Sequence, residues 1–562
     1  MTVCLLLLAG RAMAAGTWIA LTNTPPGSVG VLRLLSDGTV LTKQDYLDND
    51  TNWYSLRPDI HGSYTNGSWS TNVAAMHDSR FLFSCQMLTN GNVFVAGGEY
   101  NSGKAKAEVY DPVSNLWTTI TAPTSLLDPS QLTGITAFSG NTQDIGDAAS
   151  EILPNGRVMV APVLPKYPGE TLIFDPASSS FLAGPNFLTN SQDEANWVKL
   201  PDDSILTIDP SLAGQSGTNS ERYIPASNTW VSDANVPVPL YDPFGSELGP
   251  SFLLPNGKVM FFGSTTNTAV YTPSGNASPG AWSTGPGIPN GQGIPDAPAA
   301  MLANGKILLV TSPTPTSNAH APSPTSFYEF NYVNSSFTPI AAPAGLNTNT
   351  ACQYFYMLDL PDGNILLSAL GTDLYLYIPD STPLAAGKPA ITGVAVNGDG
   401  SLHISGTLFA GISEGTTYGD DAQMSTAYPI VRFIDASGNI RYGRTHNWTS
   451  TSQMTGSKVS TTECALPSGG SLSDSIQVVV NGNASDPVPL NYAHNGITWV
   501  DFNFGGTENG TFNNPWSSIS QGNFFSPSGG LIEVKAGSSP ETLSLTKPMR
   551  IVSYGGTVHI GP

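Results

Sequence analysis

The sequence predicts an all-β chain: a seven-bladed β-propeller, then an immunoglobulin-like β-sandwich, then a short tail like the start of a β-helix. Three observations lead there. Seven turn pairs recur, each between two apolar runs: Asp37-Gly38, Asn90-Gly91, Asn155-Gly156, Asp202-Asp203, Asn256-Gly257, Asn304-Gly305 and Asp362-Gly363. A Tyr or Phe followed by a turn and a second aromatic comes after most of them, as in Tyr110-Asp111-Pro112 to Trp117. The composition is rich in turn formers, with 58 Gly and 45 Pro, and only 11% of residues are charged, so long amphipathic helices are not expected. Asx-Gly between apolar runs is a strong hairpin signal, and a two-residue turn of this kind needs positive φ at both positions. The pairs lie roughly 50 residues apart, close to the period of a four-stranded blade.

Taken in order, residues 1–14 read as a secretory signal. Val3 to Ala9 form a short apolar core, and Ala12-Met13-Ala14 is a small-x-small cleavage signal. The competing reading is a buried first strand. The first reading places the protein outside the cell. No later segment reaches the ~20 apolar residues of a membrane span. The net charge of −21 argues against nucleic acid and anionic membrane as partners.

The propeller is expected over residues 15–383. Its inner hairpins end in runs such as Asn92 to Ala96 and Lys258 to Phe262. Its outer hairpins pair Tyr64 with Trp69, Tyr110 with Trp117, Phe174 with Phe181, Tyr223 with Trp230, Tyr271 with Trp282 and Tyr332 with Phe337. The seventh blade ends after Tyr375 to Asp380 without an outer aromatic, while Gly16 to Leu21 looks like an outer strand with no blade before it. Joining the two closes the ring and removes two sheet edges. Residues 388–493 carry short alternating strands of a sandwich, and residues 496–562 carry the tail. Beyond the signal, Cys85, Cys352 and Cys464 remain, read as buried thiols or as one Cys85–Cys352 bridge.

These aromatics, with Gly97-Gly98 after the second hairpin, resemble the kelch repeat. A kelch-like propeller closed by its N-terminal strand and followed by a sandwich resembles the galactose oxidase and glyoxal oxidase family over residues 16–492. Ile440-Arg441-Tyr442-Gly443-Arg444-Thr445-His446 is similar to the loop whose His binds copper in that family. The resemblance implies a copper site with a tyrosine–cysteine radical. In this chain Asp147 stands where the crosslinked Tyr is expected, Gln353-Tyr354 where a Tyr-His pair is expected, and Cys85 one place from the expected Cys. His446 is the candidate metal ligand; its alternative role is to bond backbone at the domain interface.

A second candidate site is acidic. Asp147, Glu194 and Asp296 each precede the first turn residue of their blade by eight positions, and Glu247 by nine. Equal offsets put side chains at one depth of the innermost strands, so these carboxylates are expected to ring the propeller mouth, with Arg80 and Tyr354 beside them. Such a ring has raised pKa values or holds a cation or a hydroxyl-rich ligand. The local alternative is that each acid caps a turn or pairs with Arg80 or Lys199. Asp420-Asp421 is a weaker acidic pair with too few oxygens for calcium by itself. Copper and calcium are thus the cofactors to test. The expected function is binding of an extracellular glycan or small polar ligand at the mouth. The alternatives are a copper oxidase with an altered site, or a carbohydrate hydrolase or lyase using the acids.

Overall fold

The computed structural model describes residues 15–44, 50–99, 102–146 except 128–144, 148–162, 170–188, 192, 195–209, 218–245, 247–397, 399–417, 426–471, 473–490, 497–526, 528–542, 544–545 and 547–562. Described residues are nearly all β, with one short α-helix, Ile519–Phe525. None of them forms a helix long and apolar enough to cross a membrane.

Seven antiparallel sheets each contain four strands in up-and-down order, consecutive in the chain in six of them and, in the seventh, three consecutive strands completed by Thr17–Ala20. Their innermost strands are Val29–Leu34, Ser84–Met87, Ser150–Ile152, Trp197–Lys199, Ser251–Leu253, Ala299–Met301 and Tyr356–Asp359. Nearly every residue of these strands is buried, and several adjoin one another round the ring: the first against the seventh, the second against the third, and the third against the fourth. Ring closure follows the sequence expectation. Thr17–Ala20 pairs antiparallel with Leu374–Ile378, with Trp18 opposite Tyr377. Trp18 packs at 4.8 Å on Tyr377 and at 5.4 Å on Phe327 of the preceding blade, and its indole N–H donates to the Ala341 carbonyl.

The turns differ from the expectation in one respect. Only the second residue of each pair has positive φ, for example Gly38 at 75° and Asp203 at 64°. The reason lies in the hairpin. The Gly38 N–H donates to the Leu35 carbonyl, and Leu35 donates to Thr39, so a type I turn is followed by one left-handed residue. The Asx side chain then accepts the N–H two residues on, as Asp37 does from Thr39, Asn90 from Asn92, Asn155 from Arg157, Asp202 from Ser204, Asn256 from Lys258, Asn304 from Lys306 and Asp362 from Asn364. The same device therefore recurs in all seven blades.

The outer aromatics bridge blades. Phe94 stacks on Phe174 of the next blade at 4.5 Å, and Trp53 meets Trp117 at 5.6 Å. Two pairings are corrected. Trp69 lies opposite Leu56 rather than Tyr64, and Phe337 opposite Phe330 rather than Tyr332. In both blades the third strand, Trp53–Arg57 or Ser326–Asn331, lies upstream of the tyrosine. Cys85, Cys352 and Cys464 are buried free thiols, so the Cys85–Cys352 bridge is absent.

After the propeller, one sheet joins Ala390–Val396, Leu402–Thr407, Val459–Cys464 and Thr445–His446, and a second joins Ile430–Ile434, Ile440–Gly443 and Ser475–Val480 with two short strands. Val394, Ile404, Val431, Phe433, Ile476 and Val478 fill the space between them. In the tail, Ile497–Val500, Leu531–Ser539 and Arg550–Ile560 stack in parallel. The intervening helix, absent from the sequence reading, starts at Ser518, whose hydroxyl accepts the Gln521 N–H.

Trp18 holds the two ends of the ring. Trp18→Ala should cost about 2–3 kcal/mol in urea denaturation, and deleting residues 15–22 should lower the melting temperature further. An unchanged melt in the deletion would contradict a closed ring.

Candidate functional site

The sandwich settles which mouth of the propeller is free. It sits on the face made by the Asx-Gly turns. The Ser36 hydroxyl donates to the Thr445 carbonyl at 2.7 Å, Arg444 Nη2 to Asn90 O at 2.7 Å, the Trp448 N–H to Thr89 O at 3.1 Å and the Ser452 hydroxyl to Asp203 at 2.9 Å. A backbone segment of the sandwich also joins the propeller. Thr416 and Thr417 pair with Ala300 and Ala299 of the sixth innermost strand.

Beneath this lid lies a polar chamber of about 30 Å³, room for roughly two water molecules at ~10–15 Å³ each. Arg33, Gln86, Glu151 and Lys199, from four successive innermost strands, line it with Glu414, Tyr428, Trp448 and Gln453 from the sandwich. The Lys199 ammonium donates to Glu151 at 3.0 Å and to the Ile152 carbonyl at 3.0 Å. Burial pulls its pKa down, but Glu151, Glu414 and Asp203 together hold it above the ordinary value. Tyr428 stacks on Trp448 at 5.0 Å, with planes 4° apart. The chamber is a polar plug, too small for a substrate.

The opposite mouth carries the sequence-predicted acids that can be placed. Asp147 and Glu194 lie outside the described residues. Glu247 and Asp296 come into one neighbourhood, because the Asp296 N–H donates to the carbonyl of Leu248. Asp296 adopts a left-handed backbone, φ 46°. The Cys352 thiol donates to the Pro295 carbonyl at 3.3 Å, and burial, with Asp296 nearby, pushes it up to about 12. Two residues on, half-buried Tyr354 enters a groove of about 330 Å³ shared with Asn347, Thr350, Asp373 and Tyr375. This volume lies within the range of small-ligand sites, and an aromatic wall with amide, hydroxyl and carboxylate groups suits a polar ring with apolar faces. Sequence reasoning found Tyr354 but missed the other four groove residues, which lie in loops without a motif or on a strand read for its place in the blade.

Two predicted residues stand elsewhere. Arg80 is fully buried. It donates to the carbonyls of Gly97 and Lys106 at 2.7 and 3.0 Å and pairs with Glu108 at 3.3 Å, so its guanidinium braces the second blade and does not reach a ligand. His446 lies across from Glu463 in the sandwich sheet, and its carbonyl accepts the Thr462 hydroxyl. Burial and then Arg444 lower its pKa. Glu463 is itself held by His403 at 2.7 Å and by Asn397 at 2.7 Å. Among the described residues no group of three or more His, Cys, Asp or Glu is arranged to hold a metal. The groups that act on His446 are Arg444, Asn447, Glu463 and Asp399, which are not the tyrosines, histidine and cysteine that the resemblance implies.

No family model matches the chain, and no curated protein matches it. Among solved structures, a fungal alcohol oxidase of the AA5 family, in complex with copper, is 13% identical with a TM-score of 0.47, covering 85% of this chain and 98% of that one. The structure of YjhT is 14% identical with a TM-score of 0.38, covering 57% of this chain and 99% of that one. At these values the likeness says nothing of activity.

Removing one member of the chamber's ion pair leaves the other charge buried. Glu151→Ala should destabilise by about 3–5 kcal/mol in chemical denaturation, and adding Lys199→Met should recover much of the loss. Additive losses in the double variant would show that the two side chains do not act as a pair.

Proposed function

We propose that this chain is a secreted β-propeller protein that binds a glycan at the propeller mouth left free by the sandwich. The observation that carries this reading is the groove at Tyr354, which Asn347, Thr350, Asp373 and Tyr375 line with it. Carbohydrates present hydroxyls in the ring plane and C–H groups on the ring faces. Asn347, Thr350 and Asp373 offer donors and acceptors for the hydroxyls, and Tyr354 offers an apolar face for the C–H groups. A net charge of −21 favours neutral or cationic sugars over sulfated or uronic ones.

The test is a glycan panel read by direct binding, with calorimetry on the best ligand. Tyr354→Ala should weaken binding at least tenfold, about 1.4 kcal/mol, with little change in the melting temperature. Asp147→Asn combined with Asp296→Asn should weaken it as well. Binding unaffected by all three changes would place the ligand elsewhere.

The same preparation tests the oxidase alternative. After copper loading, Cys85 is expected to remain an unmodified thiol by mass spectrometry, and no hydrogen peroxide should form with alcohol or aldehyde substrates. A Cys85 peptide crosslinked to a tyrosine would overturn the binding-only reading.

A further inference from the structure

The seam between the seventh blade and the sandwich contains a buried carboxylate whose oxygens accept no hydrogen bond among the described residues. Asp359 ends the innermost strand Tyr356–Asp359 and is 2% exposed. Neither carboxylate oxygen has a hydrogen-bond partner, and Asp359 forms no ion pair among the described residues. Burial raises its pKa well above the usual carboxylate range. A buried carboxylate in this state is costly unless a proton or a cation neutralises it.

Its surroundings favour a cation. Gly415, at φ 87°, faces the carboxylate. A Cβ added there would lie 2.8 Å from Asn481 Oδ1, 2.8 Å from Thr426 Oγ1 and 3.1 Å from Asp359 Oδ2. Oxygens from three separate segments thus converge beside the Gly415 backbone. Thr426 is 2% exposed, so these oxygens are closed to solvent on that side. The Asn481 amide is oriented by its own nitrogen, which donates to the Ser413 carbonyl at 2.9 Å and leaves Oδ1 facing Thr426. Thr426 Oγ1 and Asn481 Oδ1 are 3.1 Å apart, a spacing that two oxygens can keep while both bind one cation at about 2.3–2.6 Å.

We propose that Asp359, Asn481 and Thr426 form a binding site for a hard, oxygen-ligated cation, Na⁺ or Ca²⁺, that ties the propeller to the sandwich. Asp359 supplies the charge and up to two oxygens, Asn481 supplies one, and Thr426 supplies a lone pair once its hydroxyl proton turns from Asn481. Two of the three ligating residues are neutral, so the site is not a cluster of acids, histidines or cysteines. The site is independent of the groove at Tyr354.

The test uses the full chain, treated with chelator and exchanged into choline chloride, then titrated with NaCl or CaCl₂ at constant ionic strength. One of the two cations should raise the melting temperature saturably, by at least about 2 °C, and calorimetry should find one such site per chain. Asp359→Asn, which keeps the shape and removes the charge, should abolish that response. Thr426→Val should weaken it and serves as the second variant if the first folds poorly. A melt indifferent to both cations, with Asp359→Asn stabilising equally in all three salts, would overturn the proposal and leave Asp359 as a buried acid that keeps its proton. A cation response of full size in both variants would also overturn it, since the ion would then bind at another place.

Discussion

Everything in this chain is built on one short hairpin. In each blade an Asx side chain takes the N–H two residues ahead, and the next residue turns left-handed. The seven hairpins lie on one face of the propeller, and the left-handed residue is usually Gly. That Gly has a second role. A Cβ at Gly38 would lie 2.7 Å from the Tyr442 ring, and one at Gly91 would lie 2.8 Å from the Thr445 carbonyl. The residue that relieves strain in the turn also lets the sandwich approach the backbone. Local turn chemistry thus prepares the docking surface, and docking decides which mouth stays open.

The docked lid explains the division of polar residues. Under it, Arg33, Glu151, Lys199 and Glu414 are enclosed and face one another, so their charges are spent on cohesion between blades and sandwich. At the other mouth the polar groups stand at the rim of a groove. The two ends of one set of strands therefore have different chemistry. What separates them is whether a second module covers them, since the strands themselves are alike in length and burial.

The fold was legible because it repeats. Seven turn pairs and their outer aromatics are local signals, and the unmatched strand at Trp18 showed where the ring closes. Local signals also failed locally. Tyr64 and Tyr332 suggested third strands that begin elsewhere, and Ser518 caps a helix of seven residues, too short to show a helical period in the sequence. The site was less legible, because it is made by loops meeting across blades. Tyr354 could be found by counting back from Asp362, but Asn347 and Asp373 reach the same groove from loops with no fixed offset. Arg80 and Lys199 appeared in the sequence as loose cations for an acidic mouth, yet each is committed to a carboxylate of its own, Glu108 and Glu151. Partners of that kind are set by tertiary packing, which spacing along the chain does not encode.

Ring closure has a consequence in time. The strand Thr17–Ala20 is made first, and Leu374–Ile378, which it pairs with, is made after every other blade. At ribosomal speeds the first strand waits roughly tens of seconds for its place in the ring. Until then the nascent chain presents an unpaired edge at each end of the array, Thr17–Ala20 being already free before the first blade begins. Edges of this kind attract strands from other chains. The late, long-range pairing at Trp18 therefore makes this protein dependent on a slow and vulnerable assembly, while sparing the finished ring any open edge between its first and last blades.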